Sequence, residues 1–392
     1  MRRAWQAATV MIVRFVAAAA LAAWVWLALV RGMYWRTDIR LPSGVDPVTD
    51  PVSWPSVAIV VPARDEVEVL PNTVPTLVGQ DYPGLVRVIV ADDNSTDGTG
   101  ELIESAWPGV EIVEPGEPPS GWAGKLWALR AGIEAAGDVD FLLLTDADIA
   151  HRPESLRLLV RAAEAHRLDL VSQMARLRVR TGWERLLVPA FVYFFALLFP
   201  FRWSNRDGSR MAAAAGGCDL VRTAALRRAG GLDAIHGAVI DDVALARAVK
   251  RSGGRTFLGL GDHVDSIRPY PDLGSLWRMV SRSAYAQLRY SLLLLAGTVV
   301  GLALIFLVPV AATVAGAIAG DGWLFGLGAA AWLLMAALYV PMQRYYRLDW
   351  PMALLLPFTA TLYLGMTVDS AIEHYRGRGG AWKGRTYANH KP

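Results

Sequence analysis

Cysteine is all but absent: Cys218 is the only one in 392 residues. A disulfide framework and any cysteine-based zinc cluster are thereby excluded. Charge is scarce as well, at 19% Asp, Glu, Lys and Arg against 54% hydrophobic residues. Soluble domains carry about 25% charge and about 45–50% apolar residues. With a mean hydropathy of +0.30, the chain is too apolar to be wholly soluble, and disorder, collagen and coiled coil are excluded with it. Neither sign of charge prevails, since 39 basic and 36 acidic residues leave a net +3. No Lys/Arg run points to nucleic acid. A Walker pattern and a Gly-x-Gly-x-x-Gly are both missing, so ATPase and dehydrogenase readings have no anchor. What is abundant is tryptophan, 15 residues of it, a side chain that favours membrane–water interfaces.

The apolar residues are segregated. From Ser291 to Pro341 the only charge is Asp321, which divides Ser291–Gly320 from Trp323–Val340. Crossing about 30 Å of hydrocarbon takes roughly 20 apolar residues, so both stretches suffice. A third, Trp350–Val368, contains Pro351 and Pro357. Near the N-terminus, Trp5–Val30 is apolar apart from Arg14, which is expected to snorkel toward the near interface. Its bulky end, Trp24–Leu27, is unlike a signal-peptidase site, so the segment reads as a retained anchor.

The expected organisation is an anchor over 1–31, a linker over 32–55, a soluble domain over 56–290, transmembrane or re-entrant helices over 291–369 and a basic tail over 370–392. Within the domain, Leu186–Phe201 is short, aromatic and punctuated by Pro189 and Pro200. It fits an interfacial segment, with a buried core helix as the alternative. Arg31, Arg36, Arg40, Arg344 and Arg347 flank the apolar segments, whereas the Asp321 turn has no Lys or Arg. That asymmetry puts the soluble domain on the cytoplasmic side of a bacterial-type inner membrane. The basic tail shares that side if Trp350–Val368 is re-entrant or interfacial, which is the expectation, and lies opposite if it crosses.

Inside the soluble domain, Ser56–Val61, Val86–Ala91 and Phe141–Thr145 are short continuous apolar runs. Separated by the helix-like stretches Val67–Gln80 and Trp122–Ala136, they read as parallel strands buried on both faces. The fold class is α/β, an open mostly parallel sheet flanked by helices, whose ligands bind beyond the carboxyl ends of the strands. Polar residues cluster at those ends. Asp146-Ala147-Asp148 follows the third strand; two carboxylates on a turn suit one Mg²⁺ or Mn²⁺ with open positions for phosphates. Asp92–Asp97 follows the second; turn and helix-cap chemistry explains Ser95, Thr96 and Asp97 but not the paired acids before them. Pro62–Glu66 follows the first. Gly124-Lys125 opens a helix where a diphosphate could meet its N-terminus. Asp241-Asp242 precedes a helical run, as dipole partners or, for Asp242, as a general base. Gly216-Gly217-Cys218-Asp219 lies near the expected acceptor side, with a tight turn at Gly216 and Gly217 as the alternative.

Pro62–Glu66, Asp92–Asp97, Gly124-Lys125, Asp146–Asp148 and Asp241-Asp242, in this order and spacing, resemble the family 2 inverting glycosyltransferases of the GT-A fold. The resemblance covers about residues 55 to 285. Trp277–Arg282, the C-terminal helices and the tail Ala381–Tyr387 look more narrowly like the hopene-associated glycosyltransferases, which are related to ceramide glucosyltransferase. The resemblance implies a nucleotide-sugar donor, generally a UDP-sugar, and a membrane lipid acceptor such as a hopanoid. It implies that Pro62, Arg64, Glu66 and Asp93 line the nucleoside pocket and that Lys125 and Asp146 contact the donor. It further implies that Asp148, with Asp146, binds Mg²⁺ or Mn²⁺ and that Asp242 is the base. Asp241 stands where the family motif usually has Glu. Arg282 matches the Arg of a Gln-x-x-Arg-Trp motif, but Ser283 replaces its Trp, which argues against a processive polymer synthase. Asp241, Arg282 and Gly217 are further candidates at the diphosphate or acceptor side. Alternative acceptors are a polyprenyl phosphate, a ceramide or a diacylglycerol lipid. A catalytically silent membrane scaffold is the alternative of another class. In the tail, Lys383 and Arg385 are either interfacial anchors or cations that close over the diphosphate.

Overall fold

The computed structural model describes residues 2–41, 50–377, 381–382 and 385–386. In chain order, α1 (Arg2–Leu29) leads to β1 (Val57–Ala63), α2 (Leu70–Val78), β2 (Val86–Asp92), α3 (Thr99–Ala106) and β3 (Glu111–Val113). There follow α4 (Gly124–Ala136), β4 (Phe141–Thr145), β5 (Ile149–His151), α5 (Ser155–Ala165), β6 (Leu170–Leu177) and α6 (Gly182–Leu198). Then come α7 (Phe201–Ser204), β7 (Cys218–Arg222), α8 (Thr223–Arg228), α9 (Asp241–Arg251) and β8 (Thr256–Ser266). The chain continues through α10 (Leu273–Gln287), α11 (Leu292–Leu302), α12 (Val308–Ala319), α13 (Gly322–Tyr345) and α14 (Leu356–Tyr375). Two compact units form: an α/β unit of Asp38–Arg178 and Phe201–Pro269, and a helical unit of Met1–Thr37, Val179–Pro200 and Tyr270–Arg376.

The α/β unit is built on one sheet of order β3-β2-β1-β4-β7-β6-β8-β5. β1 runs parallel to β2 and β4, with Val57 opposite Val86 and Phe141. β7 is antiparallel to both of its neighbours, β4 and β6, and β5 is antiparallel to β8. The sheet is therefore mixed, with its parallel half where the apolar runs predicted it. Every residue of β1 and β4 is buried, because helices cover both faces. Leu70 and Val74 of α2 pack with Leu156 and Leu159 of α5 in one core. Leu126 and Leu129 of α4 pack with Leu245 and Val249 of α9 in the other. A Cβ at Gly132 would collide with Val60, so α4 lies flush on β1. Part of the expected linker is strapped to this unit: Leu260 donates from its amide to the Ile39 carbonyl at 2.9 Å, and Arg40 pairs with Asp262 at 2.9 Å.

In the helical unit, Ala8–Leu29, Leu292–Ala319, Gly322–Tyr345 and Trp350–Tyr375 are each long and apolar enough to cross a membrane. α12 and α13 approach closely because Cβ atoms at Gly316 and Gly328 would strike the facing backbones at Phe325 and Thr313. Arg14 does not simply snorkel to an interface: its Nε and Nη2 both donate to Asp321 at 2.9 Å. α6 opens with a capping box of Thr181 and Glu184 and runs through Pro189. Its buried Tyr193 hydrogen-bonds the Tyr34 hydroxyl at 2.9 Å and meets the Tyr339 ring at 5.0 Å. The inner face of this segment is thus core, against the interfacial expectation for all of it.

Pro351 and Pro357 sit in opening turns, of the 3-10 turn Trp350–Leu355 and of α14, where a missing N–H costs nothing. Trp332 of α13 donates to the Leu354 carbonyl at 3.1 Å. At the other end of α14, His374 stacks on Tyr290 at 4.4 Å and the Tyr375 and Tyr285 hydroxyls lie 3.1 Å apart. Trp277 of α10 donates to Asp369 at 2.8 Å. These contacts assign α10 to the helical unit, so the α/β unit ends at Pro269 rather than 290. The helix also passes the expected boundary at 369 and ends at Tyr375. Beyond it, Ala381–Trp382 pairs antiparallel with Arg385–Thr386. Lys383, Gly384 and Tyr387, named above as tail candidates, lie outside the described residues, as does the side chain of Arg385.

Candidate active site

The carboxyl ends of β1, β2 and β4 point the same way because the three strands are parallel and in register. The loops after β1 and β2 are knitted together: Asp65 accepts from the Thr96 amide at 2.8 Å, and Asp97 accepts from the Val67 amide at 3.0 Å. Pro62 is buried within β1, opposite Ala91. Arg64 donates to the Asp93 carbonyl at 2.6 Å and pairs with its carboxylate at 3.2 Å. Asp93 is fully buried. Glu66 is also buried and pairs with Arg268 at 2.8 Å. Arg64, Glu66 and Asp93 thus fall on the two joined loops, and Pro62 lies in β1 just before the first of them.

Lys125, at the start of α4, reaches across to Asp146 after β4 at 2.8 Å and to Asp241 at the start of α9 at 3.0 Å. Burial pulls this ammonium down, but the Asp146 and Asp241 carboxylates outweigh it and hold it well above its ordinary value. The lysine therefore stays charged. Asp242 accepts from the Gly216 amide at 2.6 Å and from the Val243 amide at 2.7 Å. Burial, and then the neighbouring Asp241 carboxylate, push Asp242 up to about 6, close to where a general base works best. The Gly216-Gly217 turn is held by Thr145, whose hydroxyl donates to the Gly217 carbonyl at 2.6 Å. Gly217 has φ +115, and a Cβ there would meet Ile149 at 3.1 Å, so the turn requires glycine. Lys125, Asp146, Gly217, Asp241 and Asp242 line one cleft of about 360 Å³, its open mouth included.

The two carboxylates of Asp146-Ala147-Asp148 part company. Asp146 faces Lys125, while Asp148 accepts from the Ser266 hydroxyl at 2.7 Å and lies 3.4 Å from Arg268 Nε. Among the described residues, no group of three or more His, Cys, Asp or Glu side chains converges as a metal cage. A single carboxylate suits Mg²⁺ or Mn²⁺ only where substrate phosphates and water complete the coordination. The donor set accordingly fits a cation shared with a diphosphate. Arg282 lies on α10 in the helical unit. Sequence reasoning missed Arg268 and reached Asp219 only within the Gly216–Asp219 stretch near the expected acceptor side. Arg268 follows β8, and the long strand ending at Ser266 was the signal: it brings a cation to a strand end. Asp219 lines the cleft from β7 with 5% of its surface exposed, and only strand register reveals that.

A mixed sheet with these acidic strand ends and a lysine-bridged cleft defines a domain with a GT-A-like fold. Residues 58–230 match the family Glycosyl transferase family 2, a match over less than half of the chain. The probable glycosyltransferase YdaM of Bacillus subtilis is 32% identical over 106 residues, 26% of this chain and 24% of that protein. The β-monoglucosyldiacylglycerol synthase of Synechocystis is 33% identical over 103 residues, 25% of this chain and 21% of that one. The matched stretches thus span about a quarter of those relatives or less. Among solved structures, the mannosyltransferase PcManGT of Pyrobaculum calidifontis, in complex with GDP-Man and Mn²⁺, is similar over 93% of this chain and 98% of its own. The TM-score is 0.51 at 19% identity, a likeness of fold.

Proposed function

We propose that the protein transfers a sugar from a nucleotide-sugar to a hydroxyl of a membrane lipid, with inversion. The observation that carries this reading is the cleft in which Lys125 bridges Asp146 and Asp241 beside Asp242. Asp242 removes the proton from the acceptor hydroxyl as that oxygen attacks the anomeric carbon. The bond from that carbon to the diphosphate breaks, and the nucleoside diphosphate leaves with the electron pair. Lys125 and Arg268 face the departing charge. Asp148 would hold a divalent cation, which when bound would supply further charge neutralisation to the same leaving group. One attack on one face inverts the configuration. Pro62, Arg64, Glu66 and Asp93 are the nucleoside contacts, a UDP base being what the family resemblance implies.

The lipid acceptor is supported by the apolar helices in the same chain and by a relative whose name is that of a glycolipid synthase. A hopanoid is the acceptor drawn from the family resemblance. A diacylglycerol lipid is the second reading, favoured by the Synechocystis relative. The topology we propose makes Trp350–Tyr375 re-entrant: it reaches the level of Trp332 and returns to Tyr285 and Tyr290, which precede the second span. An impermeant thiol reagent added outside intact cells is expected to label Gly322→Cys and to miss Arg376→Cys; labelling of both would overturn the re-entrant path.

The test of function is thermal stabilisation of the detergent-purified protein by UDP, GDP, CDP and ADP, with and without Mn²⁺. A shift with one nucleotide, strengthened by Mn²⁺ and lost in Asp148→Ala, is expected. No shift with any of the four would move the weight to the silent scaffold.

A further inference from the structure

The Asp219 carboxylate has no part in the transfer step just derived. β7 sets it opposite Leu144 of β4 on one side and Ser172 of β6 on the other, which turns all three side chains to the same face of the sheet. There it lines the cleft, 5% exposed, and its Oδ1 is buried without a hydrogen-bond partner. Ser172, its neighbour across the β6–β7 pair, accepts from the Ala215 amide at 2.8 Å. A buried carboxylate oxygen left unpaired costs the desolvation of that group unless a ligand satisfies it. Beside its charged groups the cleft is lined by Leu126, Leu129, Leu144 and Leu245. An aliphatic wall with one carboxylate oxygen matches a pyranose, which presents C–H bonds on a face and hydroxyls at its edge.

Resting on the glycosyl-transfer reading, we propose that Asp219 is a specificity residue that binds one hydroxyl of the transferred sugar. Lys125 and Asp146, which mark the diphosphate end, the base Asp242 and Asp219 all line this one cleft. The hydroxyl donates to Oδ1, or accepts from it when the acid is protonated; in either form the contact is lost with a deoxy sugar. A site built for a hydroxyl rejects the analogue lacking it because the buried partner is left unpaired.

The experiment measures dissociation constants of the full-length protein for the sugar nucleotide that stabilises it and for analogues lacking one hydroxyl at a time. The wild type is expected to lose about 10- to 100-fold in affinity for one analogue, the range for a hydrogen bond to a charged group. Asp219→Ala is expected to bind the parent donor weaker by a similar factor and that analogue no worse than the parent. Asp219→Asn, close in shape, should keep part of the discrimination; melting without ligand checks that both variants fold. A purely structural role would weaken all donors alike. Full discrimination retained in Asp219→Ala, or none in the wild type, overturns the assignment of Asp219 while leaving glycosyl transfer intact. Failure of every nucleotide and sugar nucleotide to bind the wild type overturns both.

Discussion

In the helical unit, several partly buried polar groups settle in local pairs: Arg14 with Asp321 at 2.9 Å, Tyr34 with Tyr193 at 2.9 Å, Trp277 with Asp369 at 2.8 Å. In the α/β unit, Asp146, Asp219, Asp241 and Asp242 share one cleft with the single ammonium of Lys125. Pairing discharges the cost of taking polar atoms out of water. Crowding leaves that cost standing, and Asp242 and Asp219 are both raised, in each case first by burial. Perturbed carboxyl groups gathered at one place are a mark of chemistry, whereas satisfied pairs are a mark of architecture. The contrast says where to break the molecule for function and where to break it for stability.

The largest effect is expected from Asp242→Asn. Transfer should fall by about 10²- to 10⁴-fold, the worth of a positioned general base, while nucleotide binding stays near wild type by calorimetry. Turnover like wild type would remove Asp242 from the role. The counterpart in the helical unit is Gly316→Leu, whose side chain would be driven into the backbone at Phe325. A loss of about 1–3 kcal/mol is expected for such overpacking, read as a lower Tm in detergent with nucleotide binding kept by the surviving fold. Loss of binding without loss of stability would show that the two units are not separable in this way.

The raised Asp242 gives a pH effect of definite sign. Its folded value of about 6 lies above the ordinary 3.8, so the folded state holds this proton more tightly than the unfolded chain. The stability it contributes is complete below about pH 4 and is lost as pH rises through 6. Asp242→Asn cannot ionise, so it should melt above the wild type at pH 7.5, by up to about 6–12 °C for the roughly 3 kcal/mol that such a raised carboxyl represents in a domain of this length. The two should coincide near pH 4. Wild-type turnover should rise through the same range, because the base works deprotonated. The smallest effect is expected from Arg14→Leu, which removes the partly buried pair with Asp321: a small fall in Tm, with no change in nucleotide binding. A double-mutant cycle with Asp321→Asn isolates that term.

What could be read in advance follows from how each element is buried. β1, β2 and β4 were legible because strands covered on both faces are continuous apolar runs, and the four long apolar helices were legible from run length alone. β7 reads CDLVR and β8 carries Gly259, Gly261, Asp262 and His263, so neither shows a run, and both were missed. Lys125, Asp146, Asp241 and Asp242 were legible because each stands where a strand ends or a helix begins. Asp219 was not singled out as a site residue: a mid-strand aspartate gains meaning only when register decides which face it shares. Arg268 depends likewise on knowing that β8 ends beside β5. Adjacency in sequence did not show that the turn sends the Asp146 and Asp148 carboxylates to different partners.

The position of β7 carries a consequence for how the protein is made. This strand lies between β4 and β6 in the sheet, yet it is synthesised after α6, a segment that belongs to the helical unit. Until residues 218–222 have left the ribosome, β4 and β6 each present an open edge, the kind of surface that recruits other chains. The nascent chain must therefore commit part of its apolar helical unit before its central sheet can close. Truncation anywhere between 178 and 217 should yield aggregates rather than a smaller folded domain.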